Sequence, residues 1–308
     1  MINRELIRIK VVQLVYAYYM GGGKPMSTLE KELTVSLSKA YQMYNLLLDL
    51  IVAVTQEERF RYEMQAAKAQ REGEEYVMPK FAYNRFAVQL EENEQLANYK
   101  EEKKLSWKDD IEFVRKICNL IEQSETYKKY NESADESYDA DREVWRKLYK
   151  QVIENNEDLY LLLEDKSIYW NDDKDIVDSF VIKTIKRFNP ENKSKQELLP
   201  EFKDEDDRNY AFDLMRAAIA NADEYQSYME EYSHNWKLNR MPFMDIVIMQ
   251  IALAELMEFP AIPASVTINE YVEMAKAYST PRSASFINGI LDSITRALIE
   301  NGKLLKQL

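Results

Sequence analysis

The sequence predicts an all-α fold, and three observations carry that expectation. Glycine and proline are scarce, six and eight in 308 residues, and three of the glycines run together at Gly21, Gly22 and Gly23. Long stretches are therefore free of helix breakers. Apolar residues make up 46% of the chain and recur at helical spacing, as at Tyr44, Leu47, Leu48, Ile51 and Val54. No segment requires a strand.

The elements follow in order. Residues 3–20 read as a helix that is apolar almost all round, ended by the glycine triplet and Pro25. A second helix or helix pair occupies 27–71, with Ser27 as N-cap and Glu30 completing a capping box. The stretch 72–110, with Gly73, Pro79 and a charged run at 91–104, reads as a solvated connection. Helical spacing resumes over 109–130 through Ile111, Val114, Cys118 and Ile121, then gives way to an acidic loop at 131–141. Helices over 142–164 and 175–188 come next, followed by a linker at 189–207 that contains Pro190 and Pro200.

The C-terminal part reads as a compact helical set. Helices are expected over 208–232 and 243–258, the latter with Pro242 near its first turn and Asp245 where a carboxylate suits the helix dipole. The Phe259-Pro260-Ala261-Ile262-Pro263 run is a rigid corner. Ser265 caps a helix with Ile268, Tyr271, Val272 and Ala275 on one face; after a tight loop at 279–283, the last helix turns Phe286, Ile290, Ile294 and Ala297 inward.

Several function classes lose support. Cys118 is alone, so no intrachain disulfide forms, and the chain suits a reducing cytoplasm. The N-terminal apolar run lacks a secretory cleavage pattern. No stretch reaches the roughly 18 apolar residues that spanning a membrane requires. His234, in Ser-His-Asn-Trp, is the sole histidine and reads as a surface or capping residue; with one His and one Cys, a zinc site lacks ligands. Gly21-Gly22-Gly23-Lys24 follows a helix and lacks phosphate-loop spacing, so it reads as a terminator. Most of the 21 tyrosines fall among Leu and Ile at helical spacing and suit a core. The residues alone thus describe a soluble, acidic, helical protein with no catalytic residues, no metal ligands and no cofactor: a binding or interaction protein.

Charge distribution refines this. The net charge of −13 speaks against a polyanion-binding surface over the whole molecule. Both ends are mildly basic, however. Residues 1–24 carry Arg4, Arg8, Lys10 and Lys24 against Glu5; residues 276–308 carry Lys276, Arg282, Arg296, Lys303 and Lys306 against Asp292 and Glu300. A fold that joins the ends would merge them into one basic patch; otherwise they are ordinary surface scatter.

Three blocks sharpen the reading. From Arg240 the chain runs R-M-P-F-M-D-I-V-I-M-Q-I-A-L-A-E-L, then I-P-A-S-V-T-I-N-E-Y-V-E-M-A-K-A-Y, then S-A-S-F-I-N-G-I-L-D. In that order and spacing they resemble the C-terminal half of the NusB family of transcription antitermination factors. Tyr210-Ala211-Phe212-Asp213-Leu214 looks like the start of the family's preceding helix, and Arg8 with Val12-Gln13-Leu14-Val15-Tyr16 is similar to its first helix. The resemblance covers roughly 1–35 and 205–308. It implies a helical bundle of two subdomains, built here from 1–39 and 205–308, with 40–204 as a helical insertion. It implies binding to single-stranded boxA-like RNA together with the ribosomal protein NusE, in an antitermination complex with RNA polymerase. Carried over by position, the RNA-binding residues are Arg4, Arg8, Lys10, Tyr16, Tyr278, Arg282, Ser283 and Phe286. Asn288 and Gly289 read as helix packing, and Glu270 as a cap or salt-bridge partner. The first helix here is poorer in arginine than is typical of the family. Two other readings compete: an RNA-binding domain like those attached to ribosomal RNA methyltransferases, for which no Gly-rich loop or parallel sheet is present, and a NusB-like scaffold that binds protein only.

Overall fold

The computed structural model describes residues 1–233 and 240–306. His234 and Trp236 lie outside the described residues. Among those described, the architecture is entirely helical, with one isolated bridge, Ile2 to Phe202, in place of any sheet. Among the described residues no helix is long and apolar enough to cross a membrane. The chain divides into two compact units, one formed by 38–201 with Met1, the other by 2–37 and 202–308.

Helix α1 (Arg4–Met20) is capped by Asn3, whose side chain accepts from the Leu6 N–H at 2.9 Å. It ends at the glycine triplet: Gly21 and Gly23 donate back to Ala17 and Tyr18, and Gly22 and Gly23 take φ of +76° and +86°, a backbone region that favours glycine. Helix α2 (Met26–Glu72) is one continuous helix of 47 residues, because no Gly or Pro interrupts it before Gly73. Its start differs from expectation. The Pro25 carbonyl receives the Thr28 N–H, Ser27 lies inside the first turn, and Glu30 pairs with Arg216 at 2.7 Å instead of closing a capping box.

In the first unit, α2 buries Tyr44, Leu47, Leu48, Ile51 and Val54 completely. The stretch expected to be a solvated connection is folded. It forms a short 3-10 turn, α3 (Arg85–Glu91) and α4 (Glu94–Lys103), and buries Phe81, Phe86, Leu90, Leu96 and Trp107. Then come α5 (Ile111–Gln123), α6 (Glu125–Glu132), α7 (Tyr138–Leu148) with a π turn at Tyr149–Ile153, α8 (Glu157–Lys166) and α9 (Lys174–Arg187). Two expected long helices are split where a capping residue restarts the chain: Ser124 accepts from Tyr127 and Asn156 from Leu159. The acidic loop at 131–141 is shorter than expected, because Ser137 accepts from Ala140 and starts α7 within it. The expected linker after α9 is packed as well: Gln89 and Asn93 donate to the carbonyls of Asn189, Lys193 and Gln196, and Leu198 and Leu199 are buried.

The second unit adds α10 (Glu205–Ala220), α11 (Ala222–Tyr232), α12 (Phe243–Glu258), α13 (Ala264–Tyr278) and α14 (Ser283–Glu300). Helix α12 is the hub, apolar on nearly every side and buried from Val247 to Leu256, with α1, α10, α11, α13 and α14 packed on it. Pro263 takes the N-cap position of α13, so Ser265 falls inside the first turn.

Candidate nucleic-acid interface

The first and last helices both pack on α12, yet the two basic ends do not merge into one exposed patch. Arg8 is 4% exposed and Lys10 is 2% exposed. Arg8 reaches buried Glu255 of α12 through two nitrogens, at 2.7 and 2.9 Å, and Glu270 of α13 through a third at 3.0 Å. Glu255 also accepts from the hydroxyls of Tyr210, Thr267 (2.7 Å) and Tyr271 (3.1 Å). Burial works against charge on both partners. The bidentate pairing prevails, holding the Arg8 guanidinium above its ordinary value and Glu255 below the usual carboxylate range. This is a structural ion pair at the centre of the unit, and Glu270 takes the salt-bridge role expected of it. The C-terminal cations are largely spoken for as well: Lys276 pairs with Glu273 at 2.5 Å and Arg296 with Asp292 at 2.8 Å.

One surface open to a ligand lies at the N-terminal ends of α12 and α14. A cleft of about 210 Å³ is lined by Arg240, Met241, Pro242, Asp245, Thr280, Arg282, Ser283 and Phe286. Its floor is fixed by Asp245, which is 2% exposed and accepts from the hydroxyls of Ser279 and, at 2.8 Å, Ser283. The Ser283 oxygen in turn accepts the Thr280 N–H at 3.2 Å. These bonds lock the turn that presents Arg282. Arg240 and Arg282 are both exposed, and neither forms an ion pair with a described residue. Phe286, half-buried, supplies an aromatic wall. Beside Pro242, Phe243 is 38% exposed and stands 5.5 Å ring to ring from Tyr16 and 5.9 Å from Tyr19. Gln250 anchors Tyr19 by donating to its hydroxyl at 2.8 Å.

The residues expected at an RNA surface therefore separate. Arg282, Ser283 and Phe286 share the cleft; Tyr16 joins the aromatic group next to it, and half-buried Tyr278 immediately precedes Ser279. Ser283 is buried and hydrogen-bonded to its neighbours Asp245 and Thr280. Arg4 is exposed but lies apart, paired with Asp207 at 3.3 Å and over the Tyr210 ring. Arg8 and Lys10 face inward. Asn288 and Gly289 are both exposed, and nothing stands within 4 Å of a Cβ added at Gly289, so this glycine does not serve close helix packing. Sequence reasoning passed over Arg240, Met241, Pro242 and Phe243. The signal was present in Arg-Met-Pro-Phe, a cation and an apolar pair set immediately before a buried helix. Among the described residues no group of three or more His, Cys, Asp or Glu could hold a metal ion.

Part of the chain matches known proteins. The model of the NusB family matches residues 179–296. The transcription antitermination protein NusB of Salinibacter ruber is 34% identical over 108 residues, covering 35% of this chain and 68% of the relative. That of Chloroherpeton thalassium is 36% identical over 99 residues, covering 32% of this chain and 47% of the relative. That of a Thermoanaerobacter species is 36% identical over 121 residues, covering 38% of this chain and 86% of the relative. No solved structure matches the chain.

Proposed function

The chain belongs to the NusB family, and from that premise we propose that it is a non-catalytic, RNA-binding transcription antitermination factor. In this reading it holds single-stranded boxA-like RNA together with the ribosomal protein NusE, within an antitermination complex with RNA polymerase. Residues 40–204 are a helical insertion that stays clear of the RNA. The observation that carries the reading is the cleft at the start of α12 and α14. Two exposed arginines stand beside an aromatic wall, over a turn held rigid from below. Single-stranded RNA is recognised by this pairing of phosphate-neutralising cations with rings on which bases stack. Arg240 and Arg282 supply the first, Phe286 the second, with Tyr16, Tyr278 and Phe243 extending the aromatic surface. Arg4 contributes from a position apart from the cleft, while Arg8 and Lys10 support the fold.

The test is binding of boxA-like and scrambled RNA at fixed salt, with and without NusE. The double variant Arg240→Glu with Arg282→Glu is expected to weaken both RNAs alike. Phe286→Ala is expected to narrow the difference between them, since stacking contributes roughly 1–3 kcal/mol per base. Unchanged binding by the charge-reversal variant would favour a scaffold that binds protein only. The burial of Arg8 and Lys10 and the net charge of −13 speak for that second reading.

A further inference from the structure

The first unit contains a carboxyl cluster that RNA binding does not use. Glu58 of α2 has no exposed surface. One of its oxygens accepts from the Tyr62 hydroxyl, which in turn meets the Tyr127 hydroxyl of α6. The other, Oε1, is buried with no hydrogen-bond partner. From α5, the Glu122 carboxyl stands within hydrogen-bonding reach of Glu58, and the Cys118 thiol is beside it. That thiol donates to the Val54 carbonyl at 3.7 Å. The nearby cations reach Glu122 and Glu57, and neither donates to Glu58. Arg61 donates to Asn119 at 2.8 Å and to Glu57 at 3.3 Å and stands 3.8 Å from Glu122; Arg115 pairs with Glu57 at 3.0 Å.

A buried carboxylate oxygen without a donor is strongly disfavoured, and a second carboxylate facing it adds like-charge repulsion. One proton removes both difficulties, since it cancels a charge and gives the orphaned oxygen a hydrogen bond. We infer that Glu58 and Glu122 share a single proton, so that the packing of α2 against α5 and α6 is proton-linked. The electrostatics agree: burial pushes the Glu58 carboxyl up to about 7 from an ordinary 4.5, the Tyr62 hydrogen bond opposing the rise and the Glu122 charge adding to it. The folded chain then keeps a proton that the unfolded chain releases. The stability it confers is fully present below about 4.5 and is lost as the pH rises through about 7.

Urea unfolding of the full chain tests this, followed by tryptophan fluorescence, because Trp107, Trp145 and Trp170 are buried in this unit. Asp178, raised to about 6 by burial, titrates in the same sense, so the comparison is with Glu58→Gln. Between pH 5 and 7 the wild-type folding constant is expected to fall, relative to the variant, by up to about tenfold per pH unit. Parallel curves over that range would overturn the inference. Carboxyl-carbon NMR of the unsubstituted chain keeps the question open to test should the variant not fold. A Glu58 midpoint near 7 supports the shared proton, and one near 4.5 refutes it. Glu122→Gln is expected to lower the Glu58 midpoint, whereas an unmoved midpoint would exclude the pairing.

Discussion

Arg8 shows what a single residue does when its charge is turned inward. Two of its nitrogens and two oxygens of Glu255 meet in a site from which water is excluded, and three hydroxyls complete the carboxylate's shell. Removing one partner leaves the other charge buried and alone, which costs about 3–5 kcal/mol. Arg8→Met is therefore expected to lower the urea midpoint sharply, while Arg282→Glu, at an exposed position, stays within about 0.5 kcal/mol of wild type. Equal stabilities would remove Arg8 from the core. Because Glu255 is held below the usual carboxylate range, its share of stability is present above about 4.5 and lost as the pH falls through its lowered value. Asp245 acts on the site by position alone. Asp245→Ala leaves the Ser279 and Ser283 hydroxyls without their acceptor, so the Arg282 turn loosens and RNA affinity drops, although a negative charge has been removed. Tighter binding would mean that charge outweighs position here. These assignments explain what the sequence withheld. The cation at Arg8 was legible; its burial was not, because the carboxylate that fixes it lies 247 positions away. Arg282 and Phe286 were read from a local motif, and both line the same cleft.

At the scale of elements, the sequence was most informative where periodicity and punctuation agree. The bounds of α12 and the stop at the glycine triplet follow from residues within one turn of each end. The first unit was harder, since a charged segment and a folded one share the same composition when short helices expose most of their surface. Asn84 and Asn93, each capping a helix of ten residues or fewer, turn the charged stretch into α3 and α4 and place Phe86, Leu90 and Leu96 inside. Helix α1 depends on the same logic of burial. Leu6, Ile7, Val11, Val12 and Val15 are at most 1% exposed, so the helix is held by packing on α10 and α12, not by its own propensity. Val12→Asp is accordingly expected to destabilise the second unit by several kcal/mol, comparable with a small domain's whole stability. A melting temperature equal to wild type would contradict that placement.

For the whole molecule, the division into units is also a division of charge. Residues 38–201 carry 26 Lys and Arg against 35 Asp and Glu, a balance of −9, which leaves −4 for the rest of the chain. In the proposed reading, RNA binds a chain on which acidic groups outnumber basic ones. If Arg240, Arg282 and the partly engaged Arg4 are the cations that neutralise phosphates, the log–log salt slope for single-stranded RNA is expected to be shallow, about −1.5 to −2. Replacing 38–201 with a short flexible linker should leave that slope contributed by the cleft, and should tighten binding at low salt because nine net negative charges are gone. The affinities of the intact and trimmed chains should then converge as salt rises and screening removes the difference. Folding of the trimmed chain is checked first by circular dichroism. If it is folded yet fails to bind RNA at any salt, residues 38–201 supply the RNA contacts and the cleft at α12 and α14 is not the interface.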